Sequence, residues 1–134
     1  MIAKWISILV VLTFSIAGCS GTPPKERRAQ SLAEYQKFAD PAVNNFPYFR
    51  LESWEVLGRD KLVIWTSARN AYLLTVDGGC PDLEWAQVIS LTSNANQISK
   101  NFDAVIVRGL KCQIRQIEPI RYDELLEARH AKAD

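Results

Sequence analysis

A single histidine, His130, serves the whole 134-residue chain. A Ser-His or Cys-His nucleophile would have to draw its base from a charged tail, a poor place for tightly held hydrogen-bond geometry. Glycine is sparse as well, with six residues and no glycine-rich loop of the kind that cradles phosphate; Gly78-Gly79 reads as a turn. Neither sign of charge is in excess, with 16 Lys and Arg against 15 Asp and Glu. The only tight basic cluster, Lys25, Arg27 and Arg28, is interrupted by Glu26. A surface that tracks a phosphate backbone needs more than that, so nucleic acid is excluded as an expected partner. Long apolar runs are missing too. The longest, residues 5 to 17, reaches roughly 20 Å as a helix, short of the roughly 30 Å hydrocarbon core that a spanning helix crosses.

That run, preceded by Lys4 and interrupted only by Thr13 and Ser15, has the form of a signal peptide, expected over residues 1–18. It closes on Ile16-Ala17-Gly18-Cys19, which resembles the lipobox of bacterial lipoproteins: a branched apolar residue, two small residues, then the cysteine that receives lipid. The resemblance implies cleavage before Cys19, a diacylglycerol thioether on its sulfur and a position on the periplasmic face of a membrane. Ser20, where inner-membrane lipoproteins carry Asp, implies the inner leaflet of an outer membrane. The other reading is an ordinary signal peptide with Cys19 incidental. Loss of Lys4 with the leader leaves a neutral mature chain.

Gly21, Pro23 and Pro24 give residues 19–28 the composition of a flexible tether, and residues 29–134 are long enough for one domain. From Lys25 the pattern turns weakly helical, and Leu32, Tyr35 and Ala39 predict a helix of about 12 residues that Asp40-Pro41 stops. From residue 48 to 120, short β-favouring runs alternate with turn signals. Residues 51–57, 61–66 and 71–76 read as a three-stranded meander, with Gly58-Arg59-Asp60 and residues 67–70 as its turns. Asp77-Gly78-Gly79 ends it at a place where positive φ is expected. Cys80-Pro81-Asp82-Leu83-Glu84-Trp85 predicts one helical turn, because Pro81 suits a first helical position. Strands are expected at 87–91, 104–107 and 111–117, punctuated by Gly109 and Pro119, with a polar loop at 94–101 that pairs briefly around Ile98. A final helix from Asp123 should fray at its end. Leu62-Val63-Ile64-Trp65 and Ala104-Val105-Ile106-Val107 are almost continuously apolar, so both faces of the sheet are expected to be covered. The fold class is mainly β: a small antiparallel barrel or strongly curved sheet of about six strands with a peripheral N-terminal helix, one short helical turn and a C-terminal helix.

With Cys19 assigned to lipid, Cys80 and Cys112 remain in an oxidising compartment. An even remainder points to a disulfide, closing a loop of about 33 residues. The C-x-x-C spacing of redox pairs is absent, a zinc site would need two more ligands, and no metal or cofactor beyond the covalent lipid is expected.

Asp60, Asp77, Asp82, Glu84 and Asp103 could serve acid/base chemistry, yet each sits beside a turn or helix start, where acids commonly cap. Ser93 and Ser99 lack a motif around them. The aromatics Trp54, Trp65, Tyr72 and Trp85 could line a sugar or peptide groove, with core packing as the commoner role.

Trp54-Glu55-Val56-Leu57, Ala71-Tyr72-Leu73-Leu74, Cys80-Pro81-Asp82-Leu83, Asp103-Ala104-Val105 and Cys112-Gln113-Ile114 resemble an uncharacterised family of small exported proteobacterial proteins with two cysteines. These positions describe a fold and imply no activity. The expected function is therefore a non-catalytic envelope lipoprotein that binds another envelope protein or a cell-wall component. A carrier enclosing a small apolar ligand in a β-barrel is one alternative. A periplasmic lysozyme inhibitor is another, though Ser67-Ala68-Arg69-Asn70-Ala71-Tyr72 only faintly echoes the serine-glycine-tyrosine loop of that class.

Overall fold

A computed structural model describes residues 18, 19 and 21–133, so the expected signal peptide and Ser20 lie outside the described residues. Helix α1 covers Pro24–Lys37, followed by strands β1 (Asn45–Pro47), β2 (Ser53–Val56), β3 (Lys61–Trp65) and β4 (Ala71–Val76). A 3-10 turn at Leu83–Trp85 precedes β5 (Ser90–Leu91), β6 (Gln97–Ser99), β7 (Ala104–Val107), β8 (Leu110–Ile120) and helix α2 (Tyr122–Ala133). Helix α1 begins inside the stretch whose composition suggests a tether. Pro24 explains this, since its ring presets the helical φ and its missing N–H costs nothing in the first turn.

Six strands form one antiparallel sheet in the order β2-β3-β4-β8-β7-β5, curved into a half-barrel, while β1 and β6 make a separate ribbon. The meander pairs as the turn signals predict, with Trp54 opposite Ile64 and Ile64 opposite Tyr72. The β7-β8 hairpin turns on Arg108 and Gly109, at φ of 50° and 80°, the paired left-handed conformation that matches the twist of a two-residue hairpin. Positive φ falls at Gly109 and not at Gly78 or Gly79, which corrects the expectation for that turn: Gly78 and Gly79 turn the chain without the left-handed conformation. Pro119 also differs from its expected role as a terminator. It lies inside β8, where its carbonyl accepts from the Asp40 N–H at 2.8 Å.

A bulge makes this long strand work. Thr75 pairs with Gln116 and Val76 with Ile114, so Arg115 is an extra residue in β8. Arg115 and Gln116 both point outward, and Ile114 and Ile117, three apart, both reach the same core. In a regular strand they would face opposite sides.

Alternation divides the buried side chains between two cores. Leu62, Ile64, Leu74, Val105, Ile114 and Ile117 fill the inner side of the half-barrel together with Phe46 and Ile98 of the ribbon. Val63, Ala71, Leu73 and Ile120 face the other way, against Tyr35 of α1 and Leu125 of α2. Both faces are thus covered across β3 and β4. At the β5-β7 end the outer face is more open among the described residues: Ile106 is half-buried and Val88 is 78% exposed. The Cys80–Cys112 disulfide joins the start of the 3-10 segment to β8 across a Cα separation of 5.6 Å, inside the first core.

Candidate functional site

The side chains richest in recognition chemistry meet where the ends of α1 and α2 cross the outer face of β2 and β3. The β2-β3 register sets Ser53 opposite Trp65 and Glu55 opposite Val63, so these residues share the helix-covered face. Tyr35, near the end of α1, is buried and its hydroxyl donates to Glu55 Oε2 at 2.8 Å. Trp65 stands between two rings, edge-on to Tyr35 at 6.1 Å and to Tyr122 of α2 at 5.7 Å. Arg129, two turns further along α2, grips both carboxylate oxygens of Glu34 at 2.9 and 3.0 Å, with its guanidinium 5.6 Å from the centre of the Tyr35 ring. Glu52, Ser67 and Ala68 complete a solvent-open cleft of about 400 Å³.

Charge states follow from these contacts. Burial, reinforced by the Glu55 hydrogen bond, pushes the Tyr35 hydroxyl far above the ordinary tyrosine range, so it remains a neutral donor. The Arg129 hydrogen bonds hold Glu34 below the usual carboxylate range, and Glu34 in turn raises Arg129. Among the described residues, the Trp65 indole Nε1 is the one buried side-chain polar atom without a hydrogen-bond partner. Such orphans are rare because an unmade buried hydrogen bond costs about 1–3 kcal/mol. The cleft therefore offers aromatic edges and carboxylate acceptors, which suits recognition of a polar ligand with an apolar body.

Two other depressions lie elsewhere. A groove of about 790 Å³ runs between the start of α1, the β2-β3 turn and the 3-10 turn, where Trp85 is 69% exposed. A cleft of about 430 Å³ follows the β5 edge past Val88, Ile106 and Arg108.

The four aromatics singled out from the sequence do not share a surface. Trp54 and Tyr72 pack on the inner core, Tyr72 stacked on Phe46 at 4.1 Å. Trp65 lines the cleft between the helix ends, and Trp85 lies at the groove beside the start of α1. The acids are dispersed as well. Asp77 pairs with Arg115, Glu84 with Arg28, and Asp103 is buried beneath Thr92 and Ser99. His130 is exposed on α2, and Ser67 caps the β3-β4 turn by accepting from the Asn70 N–H. Among the described residues no three His, Cys, Asp or Glu side chains group closely enough to hold a metal ion. Cys19 is exposed, five positions before the first residue of α1. Sequence reasoning missed Tyr35, Glu55, Tyr122 and Arg129 as a group, since they come from three elements distant in the chain and none has an unusual neighbourhood.

A family model matches residues 1–134 over their whole length. The chain belongs to DUF6491, a family of unknown function. Neither a curated protein nor a solved structure matches it. The DUF6491 match takes in the apolar N-terminal segment together with the β domain. The half-barrel, its disulfide and the cleft at the helix ends are thus features of a DUF6491 chain, and function must be argued from their chemistry.

Proposed function

We propose that this protein is an envelope lipoprotein, exported, cut before Cys19 and held by lipid on that cysteine at the inner leaflet of an outer membrane. There it acts as a non-catalytic binding module for an envelope protein or a cell-wall component. The observation that carries this reading is the cleft of Tyr35, Trp65 and Tyr122, with Glu52 and Glu55 at its rim. Tyr35 lies eleven residues along α1 from Pro24, about 16 Å by helical rise, so the cleft is carried away from the tether. An anchored protein with its binding cleft at the far end of its first helix would present that cleft to the periplasm.

The carrier alternative needs an enclosed apolar cavity. Leu62, Ile64, Leu74, Val105, Ile114 and Ile117 are each 0% exposed inside the half-barrel, and a core filled by its own side chains favours the binding module. Lysozyme inhibition draws no support from Ser67–Tyr72, because Ser67 is spent on its own turn and Tyr72 on Phe46.

The test is cross-linking in intact cells with a photoreactive residue at exposed Ala68, on the rim of the cleft, followed by mass spectrometry of the captured species. A recurrent envelope protein or wall fragment, lost in both Cys19→Ala and Glu52→Lys forms, is the expected result. Capture of nothing specific, with all three forms alike, would overturn the reading.

A further inference from the structure

The domain is tied to its start on a short leash. Between Cys19 and Pro24 the chain can extend about 17 Å, while a compact domain of a hundred residues is roughly 35 Å across. Pro23, at φ −54° and ψ 146°, is in the polyproline conformation as the chain enters α1. If Cys19 carries lipid, as proposed above, whatever surrounds the start of α1 lies close to the headgroups.

What surrounds it is the largest groove of the three. Its floor is apolar, from Leu32 and Leu57, and its rim carries Trp85 and the cations Lys25 and Arg59. Trp85 is 69% exposed although Leu83, two residues before it, is 0% exposed, because the 3-10 turn sends one side chain into the core and the other out. Arg28 is engaged by Glu84, donating to its backbone oxygen at 3.2 Å. Lys25 and Arg59 make no ion pair among the described residues, so their charge is free for an outside partner. A ring with an apolar body and a polar edge belongs at a membrane–water interface, and ammonium and guanidinium groups beside it suit anionic headgroups.

We propose that this face is a second membrane contact: Trp85 enters the interface of an anionic bilayer while Lys25 and Arg59 meet its phosphates. The lipid fixes the protein to the membrane, and this contact fixes its orientation, turning the cleft at the far end of α1 outward. The inference rests on the anchor reading for its geometry, and its test separates the two.

The full-length protein, purified from host membranes, is reconstituted into vesicles of phosphatidylglycerol and phosphatidylethanolamine carrying brominated acyl chains, and its tryptophan emission is recorded. Brominated lipid should quench a component that Trp85→Phe removes. Lys25→Gln and Arg59→Gln should each shift the docked-to-undocked ratio about fivefold, and replacement of the anionic lipid by phosphatidylcholine, which removes both attractions, by about the product of the two. Unchanged thermal melting of these surface variants excludes misfolding as the cause. Equal quenching of the wild type and Trp85→Phe, or none in either, would overturn the proposal. So would a dimer in sedimentation with Trp85 shielded from lipid, since a second copy would then cover the face. The mass of the purified chain reports the lipid independently. An unmodified Cys19 defeats the anchor reading, whereas Trp85-dependent quenching of that same chain would still uphold the docking face.

Discussion

Asp103 is 2% exposed and holds a connection that no run of apolar residues could hold. Its carboxylate accepts from Thr92 Oγ1 at 2.9 Å and from the Ser99 N–H at 2.8 Å, while Thr92 Oγ1 accepts in turn from the Ala104 N–H. The sequence places this acid beside a turn and favours a local capping role; the structure enlarges that role to a tie between β6, β7 and the segment after β5. Asp103→Leu should cost about 2–3 kcal/mol, the range for buried hydrogen bonds to a charged group, and Asp103→Asn less, as read by urea unfolding. A Leu variant as stable as the wild type would deny the tie. The disulfide is the second feature at this scale. Replacing Cys80 and Cys112 together by Ala should lower stability by about 3–4 kcal/mol, because the oxidised loop of some 33 residues restricts the unfolded chain. Pairing was legible from the cysteine count. The exposed position of Trp85 was not, since nothing in Leu83-Glu84-Trp85 tells which apolar side chain a single turn will bury.

Among the elements, α2 is attached through few residues. Leu125 is 0% exposed in the core beneath the helices, and Arg129 clamps Glu34 of α1. Leu125→Ala should destabilise by about 2–4 kcal/mol. Arg129→Ala should cost about 1 kcal/mol, since its ion pair is partly exposed and screened, with the ring contact adding to it. Hydrogen exchange resolves the distinction: Arg129→Ala should raise exchange in α2 and leave the meander protected, and equal acceleration everywhere would show that α2 is no separate latch. The meander was readable because β-branched runs between turn residues need only local physics. The ribbon was not. Asn45-Phe46-Pro47 contains a proline and little β-favouring sequence, and it exists because Phe46 finds Tyr72 and Ile98 across the fold. The strand expected at 87–91 pairs only at Ser90–Leu91, where β7 is available to receive it.

For the molecule as a whole, pH sets two edges of stability. Tyr35, Tyr48 and Tyr72 all have hydroxyls raised by burial, with the Glu55 hydrogen bond adding to it at Tyr35. A raised value favours the protonated folded form, so this stability is complete below the ordinary tyrosine value near 10 and is lost as pH climbs above it. Glu34 and Asp77 are lowered by hydrogen bonds from Arg129 and Arg115, so their contribution is present above the usual carboxylate value and fades as pH falls below about 4. Thermal melting should give a plateau from about pH 5 to 10 with declines on both sides. Tyr35→Phe should soften the alkaline decline; an unchanged profile would remove Tyr35 from the account.

The sequence by itself determined the mainly β class, the three-stranded meander, the pairing of Cys80 with Cys112 and the apolar runs that need cover on two faces. Each depends on neighbours in the chain or on a count, and local backbone chemistry suffices for them. Tertiary structure decided the remainder. It set the bulge at Arg115 that brings Ile114 and Ile117 to one core, the sorting of Trp54 and Tyr72 inward and Trp85 outward, and the meeting of Tyr35, Glu55, Trp65 and Arg129. The physical reason is that the facing of a side chain depends on register and on which layer lies against it, and both are settled only when distant segments pack.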